Sequence, residues 1–444
     1  MTKHKLVDMT SGPIAPQIIN FTIPLIIGNF CVLTYNATDS IIIGRYVGAN
    51  ALAALGAASP VMNIMQFFII GICLGMSILM GNLFGAGDVS KLKREISTSL
   101  ISGGIFTFLL VILGYHFSKK ILLLINTPIA ILSDATSYLR IIFTGFIFTF
   151  IYNIYASTLR SMGNSKIPLY FLISSAVLNV FMDLLLVVVF KKGVEGAAYA
   201  TVIAEALSAL FCIAYVYLKI PMLKFKFNEF VFDRSLFRET VSYSSVAAMQ
   251  QITLHIGKFL IQGAVNPLGI YTIAAFNAVT RIDDFVMIVQ QNIGHGTTVF
   301  LAQNNGGGKK NRVKRGFITG LKMEVIYTLL FSVIIFVFAR PLVGLFVDQQ
   351  ADEVIESGVD YLRIMALLYL LPAVTNIIQG YFRGLGKMKI TLGATFVQIV
   401  ARVIAAYLLA DHFGIEGLAM ACLVGWIFML GYELPLFKKT WKDH

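Results

Sequence analysis

Two aspartates stand inside long apolar stretches of the chain, where an ionised side chain requires an explanation. Asp39 follows one such stretch, and Asp183 lies in the middle of another. Asn179 lies four residues before Asp183, so that in a helix the two side chains share a face. Thr201 begins the next apolar stretch, near the depth of Asp183. Carboxylate, amide and hydroxyl oxygens are hard donors, so these four residues are the candidate site for a proton or a small cation such as Na⁺, and not for a transition metal.

The second half of the chain offers candidates for a substrate cavity. Gln250 and Gln251 lie in an apolar stretch and would form hydrogen bonds with a substrate if they face inward. Asp283 and Asp284 follow Arg281 near the start of the next stretch. They either form an ion pair at the helix end or provide an acid that lines a cavity and attracts cationic substrates. The sequence separates neither these two alternatives nor the two aspartates.

Pro24 lies fifteen residues before Asp39 within the first apolar stretch. A proline removes one backbone hydrogen bond and makes a helix bendable at that point. A bendable helix that carries a titratable acid predicts a switch, with Pro24 as its hinge. Binding of a cation at Asp39 and Asp183 would then relax or bend the first helix and shrink the substrate cavity.

The elements that must position these residues are membrane helices. Of the 444 residues, 57% are hydrophobic and 13% are charged, and the mean hydropathy is +0.79. Because a soluble chain is about one quarter charged, this composition excludes a cytosolic enzyme, a nucleic-acid-binding domain and a disordered protein, despite the net charge of +12. About twelve segments approach the ~20 apolar residues that a spanning helix needs. They predict an all-α polytopic membrane protein with twelve transmembrane helices.

The lysines and arginines are distributed unevenly around the predicted spans. Segments on the same side as the N-terminus hold 23 of them, and the loops on the other side hold six. Because basic residues favour the cytoplasmic side, both termini are predicted to lie in the cytoplasm, with the protein a multi-pass component of the inner membrane. The polar N-terminus and the long first apolar stretch predict no cleavable signal peptide.

The chain is internally duplicated. Short patterns recur in the same order about half a chain length later, at a nearly constant offset: Ala53-Ala54 as Ala274-Ala275, Gly85 and Gly87 as Gly306 and Gly308, Arg160 as Arg383, and Gly193 as Gly414. The repeat predicts two six-helix bundles related by a pseudo-two-fold axis along the membrane normal. We expect an N-terminal lobe over 1–222, a cytoplasmic linker over 223–237 and a C-terminal lobe over 238–444. Alternating lysine and phenylalanine from Lys224 to Phe227 fits either a strap on the inner leaflet or a solvated linker.

The candidate cation site belongs to the first half only. At the repeat offsets its residues are not retained: Asp39 maps to Leu260, Asn179 to Arg402, Asp183 to Ala406 and Thr201 to Cys422. A requirement of the fold would be expected in both copies. The acidic cluster is therefore interpreted as a functional site of the N-terminal lobe.

In the order and spacing of Pro24, Asp39, Asn179-x-x-x-Asp183 and the duplicated segments, essentially the whole chain resembles the multidrug and toxic compound extrusion (MATE) family, bacterial and archaeal type. The resemblance implies a V-shaped pair of bundles. It also implies an antiporter that couples the entry of H⁺, Na⁺ or both to the export of amphipathic, often cationic, drugs and other xenobiotics by alternating access. A monomer in the lipid bilayer is implied, with no enzymatic activity, no cofactor and no nucleic-acid partner.

The resemblance also assigns residues. It carries the cation-binding role to the four residues of the candidate site and adds Asn153 of the fourth span to their polar network. Some relatives carry acids in spans 7 and 10. Here span 7 offers Gln250 and Gln251, and span 10 has no central acid, so a cation site of that kind in the second half is not expected.

Two other functions fit parts of the sequence. A flippase for lipids or lipid-linked oligosaccharides shares the duplicated plan, but it would favour a strongly cationic cavity, for which Arg281 and Arg402 are the only candidates. A membrane-embedded enzyme would need a nucleophile with its base, or a metal site, and the six histidines form no such cluster. Export of organic cations is therefore the preferred prediction.

Overall fold

The structure, a computed structural model, describes residues 7–224, 229–347 and 352–443. Within these ranges the chain is helical and contains no strand. Its α-helices are α1 (Ile14–Tyr46), α2 (Ala49–Gly85), α3 (Val89–Leu124), α4 (Ile129–Ser161), α5 (Lys166–Asp183), α6 (Gly193–Lys219), α7 (Arg234–Val265), α8 (Ile270–Gly306), α9 (Lys310–Val337), α10 (Ala339–Gly344), α11 (Asp352–Leu368), α12 (Leu370–Gly384) and α13 (Met388–Asp443).

These helices form twelve long segments in the described part of the chain. α5 continues without a gap into a π-helix, Leu184–Val189. α11 and α12 meet at a bend of 44°, and α13 is interrupted at Gly414, whose φ is 56°. With the six-residue α10 set aside, each half of the chain has six long segments. The predicted all-α fold with two sets of six helices is confirmed.

Most of these segments can cross a membrane. Within the described ranges, eight helices are long and apolar enough, and the bent pair of α11 and α12 makes a ninth. α7 and α8 are as long but less apolar, because they carry the polar candidates of the second half. The protein is thus a multi-pass membrane protein, whereas its orientation and its location in the inner membrane stay predictions.

The internal repeat is visible in the backbone. Four helix junctions of the first half contain a glycine with positive φ, and each has a repeat counterpart with positive φ. The pairs are Gly48 and Gly269 (116° and 93°), Gly87 and Gly308 (73° and 67°), Gly163 and Gly386 (78° and 73°), and Gly193 and Gly414 (57° and 56°). Residues with a side chain rarely adopt this conformation. The sequence therefore specifies the same set of junctions twice.

The chain divides into two compact units. One is built mainly from Ile23–Ala248, and the other from Met9–Thr22 together with Met249–His444. The start of α1 thus belongs to the second unit, and the start of α7 belongs to the first.

The predicted linker over 223–237 is described only in part. A short 3₁₀-helix, Pro221–Leu223, leads into it, and α7 begins within it. Phe225, Lys226 and Phe227 of the predicted strap lie outside the described residues. The lobe boundaries at 1–222 and 238–444 stay predictions.

Glycines let the starts of α1 and α7 pack closely on their neighbours. In the first unit, a Cβ built on Gly75 of α2 would lie 2.5 Å from Ser244 Cα in α7. In the second unit, Gly296 of α8, the repeat counterpart of Gly75, faces the hydroxyl group of Thr22 in α1. Small residues of this kind allow membrane helices to approach backbone to backbone. The two glycines therefore make room for different groups, the backbone of α7 at Gly75 and side chains of α1 at Gly296.

The segment before α1 is held by hydrogen bonds in the second unit. Arg312 of α9 donates to Met9 O at 2.9 Å, to Gly12 O at 2.8 Å and to Gln17 Oε1 at 3.2 Å. Asn304 Nδ2 of α8 donates to Met9 O at 3.1 Å. These bonds fix the beginning of α1, the helix that carries the first candidate acid.

Candidate cation site

The carboxyl groups of Asp39 and Asp183 lie within hydrogen-bonding distance of each other. Asp39 is on α1, and Asp183 is the last residue of α5. Asp183 is 1% exposed, and neither of its carboxyl oxygens receives a hydrogen bond from a described amide or hydroxyl group. Oδ1 of Asp39 is also buried without such a donor. Buried carboxyl groups without donors can be satisfied by a shared proton or a bound cation.

Asn179 joins α5 to α6 through Thr201. It lies one turn before Asp183 and is 3% exposed. Its Nδ2 donates to Thr201 Oγ1 at 3.4 Å, and Thr201 Oγ1 donates to Ala197 O at 3.1 Å. Asn179 Oδ1 accepts no hydrogen bond from a described residue. An amide oxygen is therefore free to take part in cation binding beside the carboxyl groups.

Asn153 bonds within its own helix. Its Nδ2 donates to Thr149 O at 2.8 Å in α4. Thr149 Oγ1 in turn donates to Glu205 Oε2 of α6 at 2.5 Å. The structure thus links Asn153 to Glu205 through Thr149, and its membership of the cation site stays a prediction.

Three further groups lie near the acids and were not assigned to the cation site from the sequence: Tyr35, Tyr138 and Glu205. Tyr35 lies on α1, and Tyr138 is a buried residue of α4. Both are close enough to Asp39 and Glu205 for electrostatic interaction. Helical spacing could have found two of the three, because Tyr35 lies four residues before Asp39 and Glu205 lies four residues after Thr201. Tyr138 gives no such signal.

The π-helix begins directly after Asp183. At its end, Phe190 N donates to Leu185 O at 2.9 Å, a spacing of five residues. Segments of this kind occur frequently at functional sites in other proteins. Asp183 therefore lies where α5 changes from one helix type to another.

Pro24 is buried inside α1, which runs through it without a break. The division between the two compact units falls between Thr22 and Ile23, immediately before Pro24. Because proline has no N–H group, the carbonyl oxygen of Asn20 lacks its usual helical donor. The function of Pro24 as a hinge stays a prediction.

The two glutamines of α7 differ in their surroundings. Gln250 is 6% exposed, and its Nε2 donates to Gln379 Oε1 and to Thr395 Oγ1, both at 2.9 Å. Gln251 is only half-buried. Gln250 is therefore part of a buried hydrogen-bond network with Gln379 and Thr395, whereas the side chain of Gln251 is more accessible to a substrate.

The structure separates the two aspartates of α8. Asp283 is half-buried and accepts a hydrogen bond from the hydroxyl group of Tyr369. Asp284 forms an exposed ion pair with Lys258 of α7, in which Nζ and Oδ1 are 3.1 Å apart. Arg281, the partner considered from the sequence, is exposed. Asp283 is thus the acid that lies inside the second unit.

The second half also contains fully buried acids away from the repeat positions of the first-half site. Glu324 of α9 and Glu433 of α13 are both 0% exposed. Neither residue stands at a repeat position of the first-half site. The interpretation of the acidic cluster as a functional site of the N-terminal lobe stays a prediction. Among the described residues, no three His, Cys, Asp or Glu side chains are grouped to hold a metal ion.

Comparison with known families gives two matches along the chain. The family described as MatE matches residues 24–185 and again residues 247–408. The second match is displaced from the first by the same offset that separates Arg160 from Arg383 in the internal repeat. Together the two matches cover more than half of the chain.

Individual proteins match over nearly their whole length. The chain is 27% identical to the probable multidrug resistance protein YpnP of Bacillus subtilis (strain 168), over 96% of this chain and 95% of the relative. It is 24% identical to a protein of Shewanella oneidensis named FAD transporter, over 93% and 92%. A solved structure described as the outward-facing conformation of a multidrug resistance MATE family transporter has the same fold. Its TM-score is 0.91 at 20% identity, with 100% of this chain and 99% of that chain covered.

The repeated family match, the twelve long helical segments and the common fold agree with one another. The chain therefore belongs to the multidrug and toxic compound extrusion (MATE) family, whose members are membrane transporters and not enzymes.

Proposed function

We propose that this transporter exports amphipathic, often cationic, organic compounds and drugs in exchange for H⁺, Na⁺ or both. The observation that carries the proposal is the pair of buried carboxyl groups of Asp39 and Asp183, which are within hydrogen-bonding distance and lack other donors. The names of relatives, which include multidrug resistance and multidrug export proteins, support drugs as substrates. No cofactor is needed, because the ion gradient supplies the energy.

Asp39 and Asp183 take up the cation together in this proposal. Two ionised carboxylates at this separation repel each other strongly in surroundings of low dielectric constant. A proton shared between them removes the repulsion. A Na⁺ ion would be held by both carboxylates and by the free Oδ1 of Asn179, with Thr201 Oγ1 as a further oxygen. Loading of one H⁺ or Na⁺ therefore halves the negative charge of the pair, from two charges to one.

α1 couples cation binding at Asp39 to a conformational change elsewhere in the protein. Asp39 lies about four helical turns after Pro24, and Pro24 is the point at which α1 can bend with little loss of backbone hydrogen bonding. We expect cation binding at Asp39 to bend α1 there and to release the substrate outward. The division of α1 between the two compact units next to Pro24 supports this hinge.

The membrane potential provides enough energy for such an exchange. One positive charge that moves inward supplies about 2.3 kcal/mol per 100 mV, which corresponds to a concentration ratio of about fifty. This direction of ion flow fits a monomer in the inner membrane with both termini in the cytoplasm, which forms part of the proposal.

Two of the four predicted substrate residues remain suitable in this proposal. Asp283 is a half-buried acid, and Gln251 is a half-buried amide. Gln250 is engaged with Gln379 and Thr395, and Asp284 is paired with Lys258. We therefore retain Gln251 and Asp283 as candidates for contact with the exported compound.

Dye efflux from proteoliposomes tests the proposal. The purified protein is reconstituted, a fluorescent cationic dye is enclosed, and proton and sodium gradients are imposed separately to identify the coupling ion. Asp39→Asn and Asp183→Asn are each expected to slow gradient-driven efflux at least about tenfold. Asp134→Asn is the matched control, because Asp134 is exposed at the start of α4. Efflux at the wild-type rate in a well-folded double variant would overturn the proposal.

Two further arms of this experiment address other substrates. FAD enclosed in place of the dye tests whether the anionic compound named for one relative is exported. A fluorescent lipid in the same liposomes tests the alternative of a flippase. Movement of the lipid without movement of the dye would support the flippase and contradict drug efflux.

A further inference from the structure

The second unit contains a polar cluster at repeat positions of the first-half site, called here the second-half copy. Tyr361, Arg402 and Cys422 occupy the repeat positions of Tyr138, Asn179 and Thr201. In the structure these three residues also come together. The Tyr361 hydroxyl group lies 3.9 Å from Cys422 Sγ, and the guanidinium group of Arg402 is placed to donate to Cys422. Asn179 donates to Thr201 in the same way in the first unit.

The acids of the original site are missing from this copy, and another acid replaces them. Leu260 and Ala406 stand at the positions equivalent to Asp39 and Asp183. Asp283 reaches the copy from α8, and the hydroxyl group of Tyr369, at the bend between α11 and α12, bonds to it. Asp283 and Arg402 are close enough to attract each other.

We propose that Arg402 is a resident cation, which fills in the second unit the place that H⁺ or Na⁺ takes in the first, with Asp283 as its counter-ion. The inference rests on the proposed function, because it presumes an exchangeable cation at Asp39 and Asp183. It predicts that the second unit exchanges no cation of its own at this position.

The chemistry of arginine fits this role. A guanidinium group keeps its charge in proteins and, unlike a proton or Na⁺, cannot leave. Its removal would leave Asp283 without an opposite charge inside the helix bundle, which is costly. Besides Arg402, the ionisable groups that interact with Asp283 are Tyr369, Tyr361, Cys422, Asp284 and Lys258. Asp284 and Lys258 are already paired with each other.

The helix that carries Arg402 packs closely on the chain around Gly425. Gly425 faces it, and a Cβ built on Gly425 would lie 2.8 Å from Arg402 Cβ. The repeat counterpart of Gly425, at the offset that relates Cys422 to Thr201, is Ala204. The second half therefore has the smaller residue at this position, which allows the chain at Gly425 to pack closely on the helix that carries Arg402.

Cation counting on the purified full-length protein tests the inference. Bound sodium-22 is measured directly, and proton uptake is followed with a pH indicator in sodium-free buffer. All variants are made in the Asp39→Asn/Asp183→Asn background, which is expected to bind neither cation. Adding Arg402→Asn, which restores the residue type of the first half, or Arg402→Gln is expected to create about one new cation site per chain.

Two control variants test whether the new cation site results from the loss of the positive charge at Arg402. Arg402→Lys keeps the positive charge and is expected to create no site. Asp283→Asn added to Arg402→Asn is expected to remove the site that was gained. Monodisperse elution and a cooperative thermal transition establish that each variant is folded.

Three outcomes distinguish the inference from the proposed function. The inference is overturned if Arg402→Lys gains as much cation binding as Arg402→Asn. It is also overturned if neither Arg402→Asn nor Arg402→Gln gains any cation binding. If the wild type and the Asp39→Asn/Asp183→Asn variant bind equal amounts of cation, the proposed function fails. The effect of replacing Arg402 can still be judged in that case, because the protein with Arg402 and the Arg402 variants share the same Asp39→Asn/Asp183→Asn background.

Discussion

Gly75 of α2 and Ser244 of α7 meet backbone to backbone, since a Cβ on Gly75 would lie 2.5 Å from both the Cα and the N of Ser244. Ser244 Oγ also donates to Ile72 O at 3.0 Å. Gly71 makes the same approach one turn earlier, where its Cβ would lie 2.7 Å from Ala248 Cα. The first part of α7 therefore packs closely against the face of α2 that carries Gly71 and Gly75.

Gly75→Ala is expected to destabilise the protein by about 1–3 kcal/mol, because the backbone of α7 must move to admit a methyl group. Thermal unfolding in detergent, followed by fluorescence-detected size exclusion, measures the change. Gly104→Ala is the matched control, because nothing lies within 4 Å of a Cβ there and alanine favours the helix by up to about 1 kcal/mol. Equal melting temperatures for the two variants would show that the contact with Ser244 is not tight.

Asn179→Ala is expected to raise the cation concentration for half-maximal dye efflux about 10–100-fold, because the site loses an oxygen and the bond that orients it. Efflux is measured over a series of proton and sodium concentrations. Asn50→Ala, at an exposed position early in α2, controls for the substitution itself. An unchanged cation dependence in Asn179→Ala would assign Asn179 a packing role only.

Pro24→Ala is expected to slow efflux about tenfold while dye binding is retained, because the new N–H group bonds within α1 and stiffens it. Dye binding to the detergent-solubilised protein and efflux from proteoliposomes are measured on the same preparation. Pro60→Ala is the control, since Pro60 also lies within a helix but is exposed. If binding and efflux fall together, Pro24 acts on the binding site and not as a hinge.

Arg312→Ala is expected to increase proteolytic cleavage within the segment from Met9 to Gln17 about tenfold or more, because the donor that ties this segment to the helices of the second unit is lost. Limited proteolysis with mass spectrometry of the N-terminal fragments measures the rate. Arg315→Ala, one turn later and exposed, is the control. Equal cleavage rates would mean that other contacts hold the segment.

Much of the fold could be predicted from the sequence because it follows from local rules. Apolar length predicts the helical segments, and the glycines at the junctions recur at a nearly constant offset, which reveals the repeat. The bend at Tyr369 has a local signal in Pro372, which cannot donate a helical hydrogen bond to Leu368 O. The π-helix after Asp183 could not be predicted in this way, because the sequence remains apolar on either side of it.

The candidate site was predictable only in part. Asp39 and Asp183 stood out because both interrupt apolar stretches, but their approach depends on how α1 packs on α5. Asp283 and Asp284 are adjacent in sequence and differ by about 100° around the helix, so only the structure could show which of them faces inward. Glu324 and Glu433 are isolated acids without a repeat counterpart, and no spacing rule identifies them.

The π-helix of residues 184–189 also determines how the chain leaves the acidic site. Deletion of one residue there would return the segment to α-helical spacing and would rotate everything after it by about 100° relative to Asp183. The tight turn at Lys191, which has a φ of 53°, would then point away from α6. The length of this short segment thus determines whether the chain can connect α5 to α6. That connection places Thr201 of α6 beside Asn179 of α5.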